Sequence, residues 1–436
     1  MSIPNTYREH IQIRRAKMDA ILNECKMDGL IIDTGKEIHT FEDDREIPFA
    51  PNGHFLHWCP LMSPGHMLHL VQGQKPKLFF YRPDDFWYEH ATIGNSFWES
   101  EFDITIVKNR GEIWKALRGA KNTHYHGPEK DMALASELKI ATGQVNHSLK
   151  WDRTYKTAYE IACVDEATRI SAKGHLAAKE AFLEGKSELD IYYDYLSATR
   201  SMEHENPYKP IIALNEKGSF LHYAAKRNDV RDGWSLLIDA GYRCNGYACD
   251  ITRTYVKPGE DKEYETFLGR MDRLQLDLCS KARPGVTMAE HQQATHVAVG
   301  NLLIETGILK SCTVEEAIEG GYTRVFFPHG VGHMLGIYVH DVGGGMKDRS
   351  GATFEPDPKN PYLRSRKVLE EQFLFTIEPG IYFIELLLDP YRSKPEGKHF
   401  NWGLIDKWKR FGGIRIEDDV VVTKNGCNNI TRKYLP

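Results

Sequence analysis

Residues 1–155 alternate between helical and strand-like hydrophobic patterns. Apolar residues recur at three- and four-residue steps from Ile11 to Cys25, which predicts a helix. The apolar runs that follow predict strands at GLIID, MLHLVQ, KLFFYRP and ITIVK, and HYHGP then leads into KDMALASELKIA, a predicted helix. This alternation predicts a modest sheet with helices packed on it. The segment contains no cluster of carboxylates and histidines.

Beyond residue 155 the pattern changes to long helices and then to strands. Tyr155 to Glu184 has helical periodicity, and Ser187 is placed to cap a second helix. Strands are predicted at IIALN, SLLIDAG and YACDITRTYV, followed by two helices between residues 262 and 306 and a strand-rich final region. We therefore expect an α/β (α+β) protein with two domains, 1–155 and 156–436.

Composition narrows the functional class. The 436 residues are 41% apolar and 27% charged, which is ordinary for a soluble globular enzyme. The net charge of -5 argues against nucleic acid or an anionic membrane as a partner. There is no long apolar window for a membrane span and no apolar signal core at the N-terminus. Eight scattered cysteines without a CxxC pair predict a cytoplasmic protein.

Two aspartates stand at predicted strand ends. Asp239 follows the apolar run SLLI, and Asp250 precedes the alternating run ITRTY. A twisted hairpin would turn both carboxylates to one face. Asp before Ala-Gly is commonly turn chemistry, which is the alternative for Asp239. Asp inside a partner strand is harder to explain structurally, because Asp is depleted there.

Three histidines occur within PHGVGHMLGIYVHD, namely His329, His333 and His340. The four-residue step between the first two imitates a helical zinc motif, but no Glu follows the first histidine, and the interspersed glycines disfavour a helix. A glycine-rich strand or loop that brings several imidazoles to a cavity fits better. One such histidine alone would more often be structural.

Two glutamates interrupt apolar runs near the C-terminus. Glu378 ends FLFTI before Pro379-Gly380, where the strand must turn or bulge. In FGGIRIEDD, strand alternation places Arg415 and Glu417 on one face, so Arg415 is positioned to hold a ligand carboxylate. The alternative is a surface Arg–Glu pair on an edge strand.

Taken together, four carboxylates and one imidazole carry too much negative charge to be buried without cations. Two divalent ions that share bridging carboxylates would neutralise the charge and supply a nucleophilic hydroxide. The residues alone therefore favour a two-metal hydrolase. Oxygen-rich ligands with one histidine suit Mn²⁺ or a similarly hard ion.

Longer stretches extend this pattern over nearly the whole chain: FEDDREIPF, KPKLFFYRPDDFW, YKTAYEIACVDEA, NGYACDITRTY, FFPHGVGHMLGIYVHDVGG, PYLRSRK, TIEPGIYFIE, KHFNW and FGGIRIEDD. They resemble the pita-bread metallopeptidases, the group of methionine aminopeptidase, aminopeptidase P, prolidase and metal-free creatinase. The resemblance is closer to the bacterial Xaa-Pro dipeptidase (prolidase) branch, which includes the organophosphorus acid anhydrolases. It implies a creatinase/prolidase-type N-terminal α/β domain followed by a pita-bread catalytic domain.

The resemblance also implies roles for the five residues. Asp239 would bind one of two divalent ions per subunit, Asp250 and Glu417 would bridge both, and His333 and Glu378 would complete the second. Mn²⁺ is the expected ion, with Zn²⁺ or Co²⁺ as alternatives. A hydroxide between the ions would attack the scissile carbonyl, with Glu378 as the proton shuttle.

The substrate implied by the resemblance is a dipeptide with proline in the C-terminal position. His340 would stabilise the oxyanion, His222 would lie beside the substrate, and His329 would support the site. Arg364 would hold the terminal carboxylate through two parallel hydrogen bonds. Further implied pocket residues are Tyr208, Leu221 and Val339, with Trp87 and Asp44 supplied by the partner subunit of a homodimer.

The sequence departs from its relatives at two places. After FEDD it reads REIPFAPNGHFLHWCP, and Met288 stands where the resemblance implies a common pocket tyrosine. Both departures concern the substrate pocket, so they leave the residue preferred before proline and any activity on organophosphorus triesters open.

Two other functions compete with a dipeptidase. Aminopeptidase P, which removes the residue before proline from longer peptides, shares the two-domain plan and the metal ligands. A non-catalytic binding protein with the same shell would have no need for the five ligands and three further histidines. Arg364 favours a site that closes around a free carboxylate.

Overall fold

The computed structural model describes residues 2–436. The chain forms two compact units, residues 2–163 with 348–352 and residues 164–347 with 353–436. Within residues 2–436, no helix combines the length and the apolar composition that crossing a membrane requires.

The first unit is a mixed sheet with helices. Its helices are α1 (Ile3–Glu24), α2 (Gly53–Leu56), α3 (Arg110–Leu117), α4 (Lys130–Ala135) and α5 (Gly143–Asp152). Its strands are β1 (Gly29–Asp33), β2 (Ile38–His39), β3 (Glu46–Ile47), β4 (Met67–Val71), β5 (Lys77–Tyr81), β6 (Asp103–Val107), β7 (Thr123–His126) and β8 (Lys139–Ile140).

Six of these strands form one sheet in the order β6-β5-β4-β1-β7-β8, and β2 pairs with β3 separately. Strand β1 is antiparallel to β4 and parallel to β7, and all five of its residues are buried. Ile31 packs with Phe79, Trp114 and Tyr125 in a core cluster. The predicted sheet with packed helices is confirmed.

Two local predictions for this unit need correction. The helix predicted over KDMALASELKIA ends at Ala135, because Glu137 has a φ of 65°, which an α-helix does not accommodate. Lys139 and Ile140 instead form β8 beside β7. Helix α1 is also longer than its predicted span, since it begins at Ile3 with a proline in its first turn, where proline is tolerated.

The remaining elements are α6 (Ala158–Leu183), which begins just before the division between the units, α7 (Glu188–Thr199), α8 (Lys262–Lys281), α9 (Met288–Glu305), α10 (Val314–Glu319), α11 (Tyr322–Phe326), α12 (Glu385–Arg392) and α13 (Trp402–Trp408). The strands are β9 (Ile211–Leu214), β10 (Ser235–Asp239), β11 (Arg243–Cys244), β12 (Tyr247–Ala248), β13 (Thr252–Val256), β14 (Leu374–Ile377), β15 (Gly380–Tyr382), β16 (Gly413–Arg415), β17 (Asp418–Thr423) and β18 (Gly426–Asn429).

The long helices of this unit are confirmed near their predicted positions. Ser187 caps α7 in a capping box with Asp190, and α8 and α9 occupy the span predicted for two helices. The final region was expected to be rich in strands, and it also contains α10 to α13. Those helices have five to eight residues, too short for helical periodicity to identify them.

Strand β10 directs Asp239 towards the site by simple alternation. It lies between β9 and β13, and both pairings are antiparallel. Leu236 and Ile238 pack into a cluster with helix residues, whereas Leu237 packs with Tyr382 on the other face. Because side chains two apart share a face, Asp239 lies on the Leu237 face.

Two broken strands provide the two glutamates. Ile377 pairs with Asp418, and Gly380 pairs with Arg415, so β14 and β15 run antiparallel to β17 and β16. Glu378 lies in the break of one strand, and Glu417 lies in the facing break of the other. Breaks of this kind re-aim side chains next to functional sites.

Candidate functional site

The five acidic and imidazole residues line one cavity of the second unit. Its volume is about 440 Å³. The cavity wall contains all five of the residues predicted as metal ligands: Asp239, Asp250, His333, Glu378 and Glu417. The structure therefore brings together side chains that lie far apart in sequence.

His333 lies at the centre of this cluster. Its Nε2 is 3.5 Å from Asp250 Oδ2, 3.5 Å from Glu378 Oε1 and 3.9 Å from Glu417 Oε1. Its Nδ1 is 3.2 Å from the Met334 carbonyl oxygen, to which it donates. This leaves Nε2 as the ring atom that faces the carboxylates, as a metal ligand requires.

Hydrogen bonds hold the Glu417 carboxylate and the Asp250 backbone from behind. Thr252 Oγ1 donates to Glu417 Oε2 at 2.7 Å, and the Asp250 amide donates to the buried Asp419 carboxylate at 3.1 Å. Ligand atoms of Asp250, His333 and Glu417 all lie within 4.8 Å of one another. These three residues alone would suffice to hold a cation.

Asp250 differs from its predicted setting. It was expected inside the partner strand of a hairpin, but it lies in the break between β12 and β13. Asp239 pairs with Thr252 instead, and a small hairpin of β11 and β12 fills the intervening chain. The antiparallel pairing of the two strands is confirmed, and both carboxylates line one cavity. The position of Asp250 inside the partner strand was wrong, because the prediction did not allow for the two short strands.

Arg415 is the cation in direct contact with the cluster. Its Nη2 lies 2.6 Å from Asp239 Oδ2, and its Nε donates to Thr252 Oγ1 at 3.2 Å. Its Nη1 donates to the Tyr382 hydroxyl at 3.0 Å. One buried guanidinium thus orients Asp239, but it offsets only one of four carboxylate charges.

Tyr382 extends this chain of contacts to His329. Its hydroxyl lies 2.9 Å from His329 Nε2, and His329 Nδ1 lies 2.9 Å from the Gly330 carbonyl oxygen. Burial, followed by Arg415, lowers the pKa of His329 to about 3, so its imidazole is neutral. Tyr382 was not predicted from the sequence, because a tyrosine in the apolar run GIYF is typical of a core strand.

The charge balance of the cluster fits divalent cations. Burial raises the pKa of Glu378 to about 7, and burial followed by Asp250 raises the pKa of Glu417 well above its ordinary value. Asp239 Oδ1 is buried without a hydrogen-bond partner among residues 2–436. Bound cations would offset the repulsion between the carboxylates and would give Asp239 Oδ1 a partner.

Glycine is required in the histidine loop because the backbone passes very close to β14. A Cβ at Gly332 would lie 1.8 Å from the Thr376 carbonyl oxygen. The Thr376 amide donates to the His333 carbonyl oxygen at 3.0 Å. The segment is a loop, as predicted, and this contact places His333 beside Glu378.

Several other predicted site residues line the same cavity: Leu221 and Arg364, which were expected to bind substrate, and His222, His329 and His340, which were expected to take part in catalysis. The His340 and His333 rings meet edge to face, with centroids 4.4 Å apart. Burial, then His333 and Arg364, lowers the pKa of His340 to about 4. His222 and Arg364 are exposed at the cavity, where a small ligand could reach them.

Tyr208 and Val339 are not part of the cavity wall in the described chain. Tyr208 nevertheless adjoins the cluster, since burial and then Asp239 and Asp250 raise the pKa of its hydroxyl well above the ordinary value. Val339 is half-buried next to His340.

The other three substrate-related positions lie elsewhere. Trp87 is 76% exposed in the first unit, where its ring packs on Phe86 with centroids 4.7 Å apart. Asp44 is exposed between β2 and β3. Met288 is buried as the first residue of α9.

Family models match both parts of the chain. Residues 162–424 match metallopeptidase family M24, and residues 5–151 match the Xaa-Pro dipeptidase N-terminal domain. Curated relatives are similar over the full length. The chain is 39% identical over 439 aligned positions to the Xaa-Pro dipeptidases of Salmonella newport (strain SL254) and Salmonella enteritidis PT4, covering 99% of this chain and 98% of each relative.

Solved structures share the fold. Aminopeptidase P from E. coli with the inhibitor Pro-Leu is 25% identical with a TM-score of 0.75, covering 100% of this chain and 96% of its own. Proline aminopeptidase P II from Yersinia pestis is 25% identical with a TM-score of 0.73, covering 100% of this chain and 97% of its own.

Proposed function

Because the chain belongs to metallopeptidase family M24, we propose that it is a metal-dependent Xaa-Pro dipeptidase, a hydrolase that cleaves dipeptides with proline at the C-terminal position. The observation that carries this proposal is that one cavity of about 440 Å³ contains both the carboxylate cluster and the exposed guanidinium of Arg364. The cluster would act on the scissile bond, and Arg364 would bind a free carboxylate one residue away.

Two divalent cations are the cofactors that the cluster fits, and Asp239, Asp250, His333, Glu378 and Glu417 would hold them. When bound, such cations polarise a carbonyl oxygen and lower the pKa of water. Mn²⁺ is our first choice, since four oxygen ligands and one imidazole suit a hard ion, and Zn²⁺ or Co²⁺ are the alternatives.

The side chains around the cluster then act on substrate and protons. Glu378, whose pKa burial raises to about 7, takes the proton of the attacking water and delivers it to the leaving prolyl nitrogen. His340 donates a hydrogen bond to the carbonyl oxygen as that oxygen gains negative charge. His329 stays neutral and fixes Tyr382, which accepts from Arg415, and Arg415 in turn orients Asp239.

Arg364 would restrict the substrate to dipeptides. A guanidinium holds a carboxylate through two parallel hydrogen bonds, which an internal peptide group cannot reproduce. His222 and Leu221 line the same cavity and would contact the dipeptide beside this clamp. Tyr208, which adjoins Asp239 and Asp250, would support the cluster from outside the cavity wall.

Hydrolysis of Ala-Pro, Gly-Pro and Ala-Pro-Ala by the Mn²⁺-loaded protein tests this proposal. We expect cleavage of both dipeptides and little or none of the tripeptide, because its proline carries no free carboxylate. Cleavage mainly of Ala-Pro-Ala would overturn the dipeptidase assignment.

Aminopeptidase P activity is the second candidate. The likeness to aminopeptidase P from E. coli in complex with Pro-Leu favours it, since the two chains align over almost their full lengths. Efficient cleavage of the tripeptide in the same assay would identify this activity. Phosphotriesters are a further substrate class to assay, as activity on them is left open by the sequence.

A homodimer in the cytoplasm completes the proposal. Exposure of Trp87 and Asp44 in the first unit supports a role in a partner's substrate pocket. No two of the eight cysteines form a disulfide within residues 2–436, which supports a reducing compartment. Light scattering on wild type and on Trp87→Ala tests the dimer, and the KM of Trp87→Ala for Ala-Pro tests the contribution of the tryptophan to the pocket.

A further inference from the structure

A buried amide lies directly beneath the two facing strand breaks that carry Glu378 and Glu417. Gln275 on α8 is 0% exposed, and its Nε2 donates to the Ile377 carbonyl oxygen at 3.1 Å. The same nitrogen lies 3.2 Å from Cys279 Sγ. Since Ile377 immediately precedes Glu378, this hydrogen bond restrains the backbone at one side of the cluster.

The other end of the Gln275 amide reaches the second strand through an arginine. Gln275 Oε1 accepts from Arg432 Nη2 at 2.9 Å, and Arg432 Nε lies 2.7 Å from Asp418 Oδ2. Asp418 immediately follows Glu417. A guanidinium can only donate and a carbonyl can only accept, so these partners determine which way the amide points.

The resulting bridge spans the last residue pair before the breaks. Ile377 and Asp418 are direct partners in the β14–β17 ladder, and the ladder stops at this pair. Asp418 also pairs with Arg253, whose Nη1 donates to the Glu417 carbonyl oxygen at 2.9 Å. The backbone on the Glu417 side is therefore restrained twice.

A stabilising role alone does not explain so polar an arrangement. Burying an amide, a carboxylate and a guanidinium costs free energy that a packed apolar cluster would avoid. Buried hydrogen-bond networks instead rigidify one geometry. Here the geometry that is made rigid is the separation of the two backbone segments that present Glu378 and Glu417.

We propose that Gln275 and Arg432 are positioning residues that set the distance between Glu378 and Glu417 and thereby the affinity of the site for divalent cations. The inference rests on the proposed function, since it requires that the cluster binds metal. It adds two residues that are outside the cavity wall.

Gln275→Glu is the most specific test. It keeps an oxygen for Arg432 but places a second oxygen, in place of the Nε2 donor, against the Ile377 carbonyl. Gln275→Leu removes both contacts. Asp272→Asn is the matched control, because Asp272 Oδ1 accepts from the same Arg432 nitrogen at 2.8 Å but lies at the surface, with 38% of its side chain exposed.

The measurement is Mn²⁺ binding to metal-free protein by calorimetry, with thermal unfolding of the same metal-free samples as the control for folding. Contacts behind metal ligands typically contribute about 10- to 100-fold in affinity, so we expect Kd to rise by that factor in both Gln275 variants and to change less than about threefold in Asp272→Asn. If a Gln275 variant does not fold, Arg432→Lys, which keeps the charge beside Asp418, is measured in its place with the same expected rise.

Two outcomes would overturn the inference, and they are distinguishable. Wild type that binds Mn²⁺ together with folded Gln275 variants whose Kd stays within about threefold of it would refute the positioning role alone. Wild type that binds no divalent cation would refute the proposed function as well.

Discussion

Replacing Gly332 by alanine tests how the histidine loop is held against the strand that carries Glu378. The new Cβ would lie 1.8 Å from the Thr376 carbonyl oxygen, whereas real Cβ atoms essentially never approach another atom more closely than 3.0 Å. The two backbones must therefore separate by at least the difference, 1.2 Å. The obstacle is backbone, so no side-chain rotation relieves it.

This separation acts directly on the candidate metal ligands. The Thr376 amide donates to the His333 carbonyl oxygen at 3.0 Å, and the His333 amide donates to Thr376 Oγ1 at 3.2 Å. Opening these contacts moves His333 away from Glu378, now 3.5 Å distant. A misplacement of about 1 Å costs on the order of 100-fold in rate, so kcat/KM should fall by about that factor. Overpacking of this kind also costs about 1–3 kcal/mol of stability.

The assay is hydrolysis of Ala-Pro with saturating Mn²⁺, with circular dichroism as the check on folding. Gly345→Ala is the matched control, because a Cβ there would meet nothing within 4 Å. A Gly332→Ala protein that folds and whose kcat/KM stays within about threefold of that of Gly345→Ala would refute the reasoning, because a shifted His333 should lower kcat/KM far more.

Three further predictions concern the clamp, the cluster and the first unit. Arg364→Ala should raise KM for Ala-Pro about 10- to 100-fold and hardly change it for the amide Ala-Pro-NH₂, as expected for a lost charged hydrogen bond; equal effects in the two KM measurements would exclude the clamp. Asp250→Asn should abolish turnover of Ala-Pro at any Mn²⁺ concentration, because it removes a carboxylate charge 3.5 Å from His333, and near-native activity would contradict this. Burial, followed by Arg110, lowers the pKa of His66 to about 3, while Tyr81 donates to its Nδ1. Because His66 stays neutral in the folded chain, only the unfolded chain takes up a proton at this residue as pH falls below about 6.5. The free energy of unfolding therefore has its full value above that pH and should decrease towards pH 3 by up to about 1.4 kcal/mol per pH unit. Denaturant unfolding of His66→Asn should show a smaller decrease in the free energy of unfolding with falling pH than wild type. The same decrease in both proteins would count against a neutral His66.

Much of the candidate site could be predicted because charges stand where the strand pattern calls for apolar residues. Glu378 and Glu417 each interrupt an apolar run, and the structure places both in facing strand breaks. Asp239 follows from the alternation along β10. The glycines around His333 indicated a loop. The reason that Gly332 must be glycine, its close approach to Thr376, is visible only in the structure.

The parts that could not be predicted depend on contacts between distant segments. Tyr382 has the composition of a core strand residue, and only its neighbours His329 and Arg415 reveal its role. Gln275 and Arg432 lie on elements with ordinary polar patterns. Helix α4 was extended too far, because periodicity does not show that Glu137 adopts a positive φ.

Mn²⁺ titration of metal-stripped protein, with Ala-Pro hydrolysis as the readout, tests the central claim most directly. We predict no turnover without metal and activity that saturates as the five-residue cluster fills, at two ions per chain. Full hydrolysis of Ala-Pro by protein shown to be free of metal would contradict it.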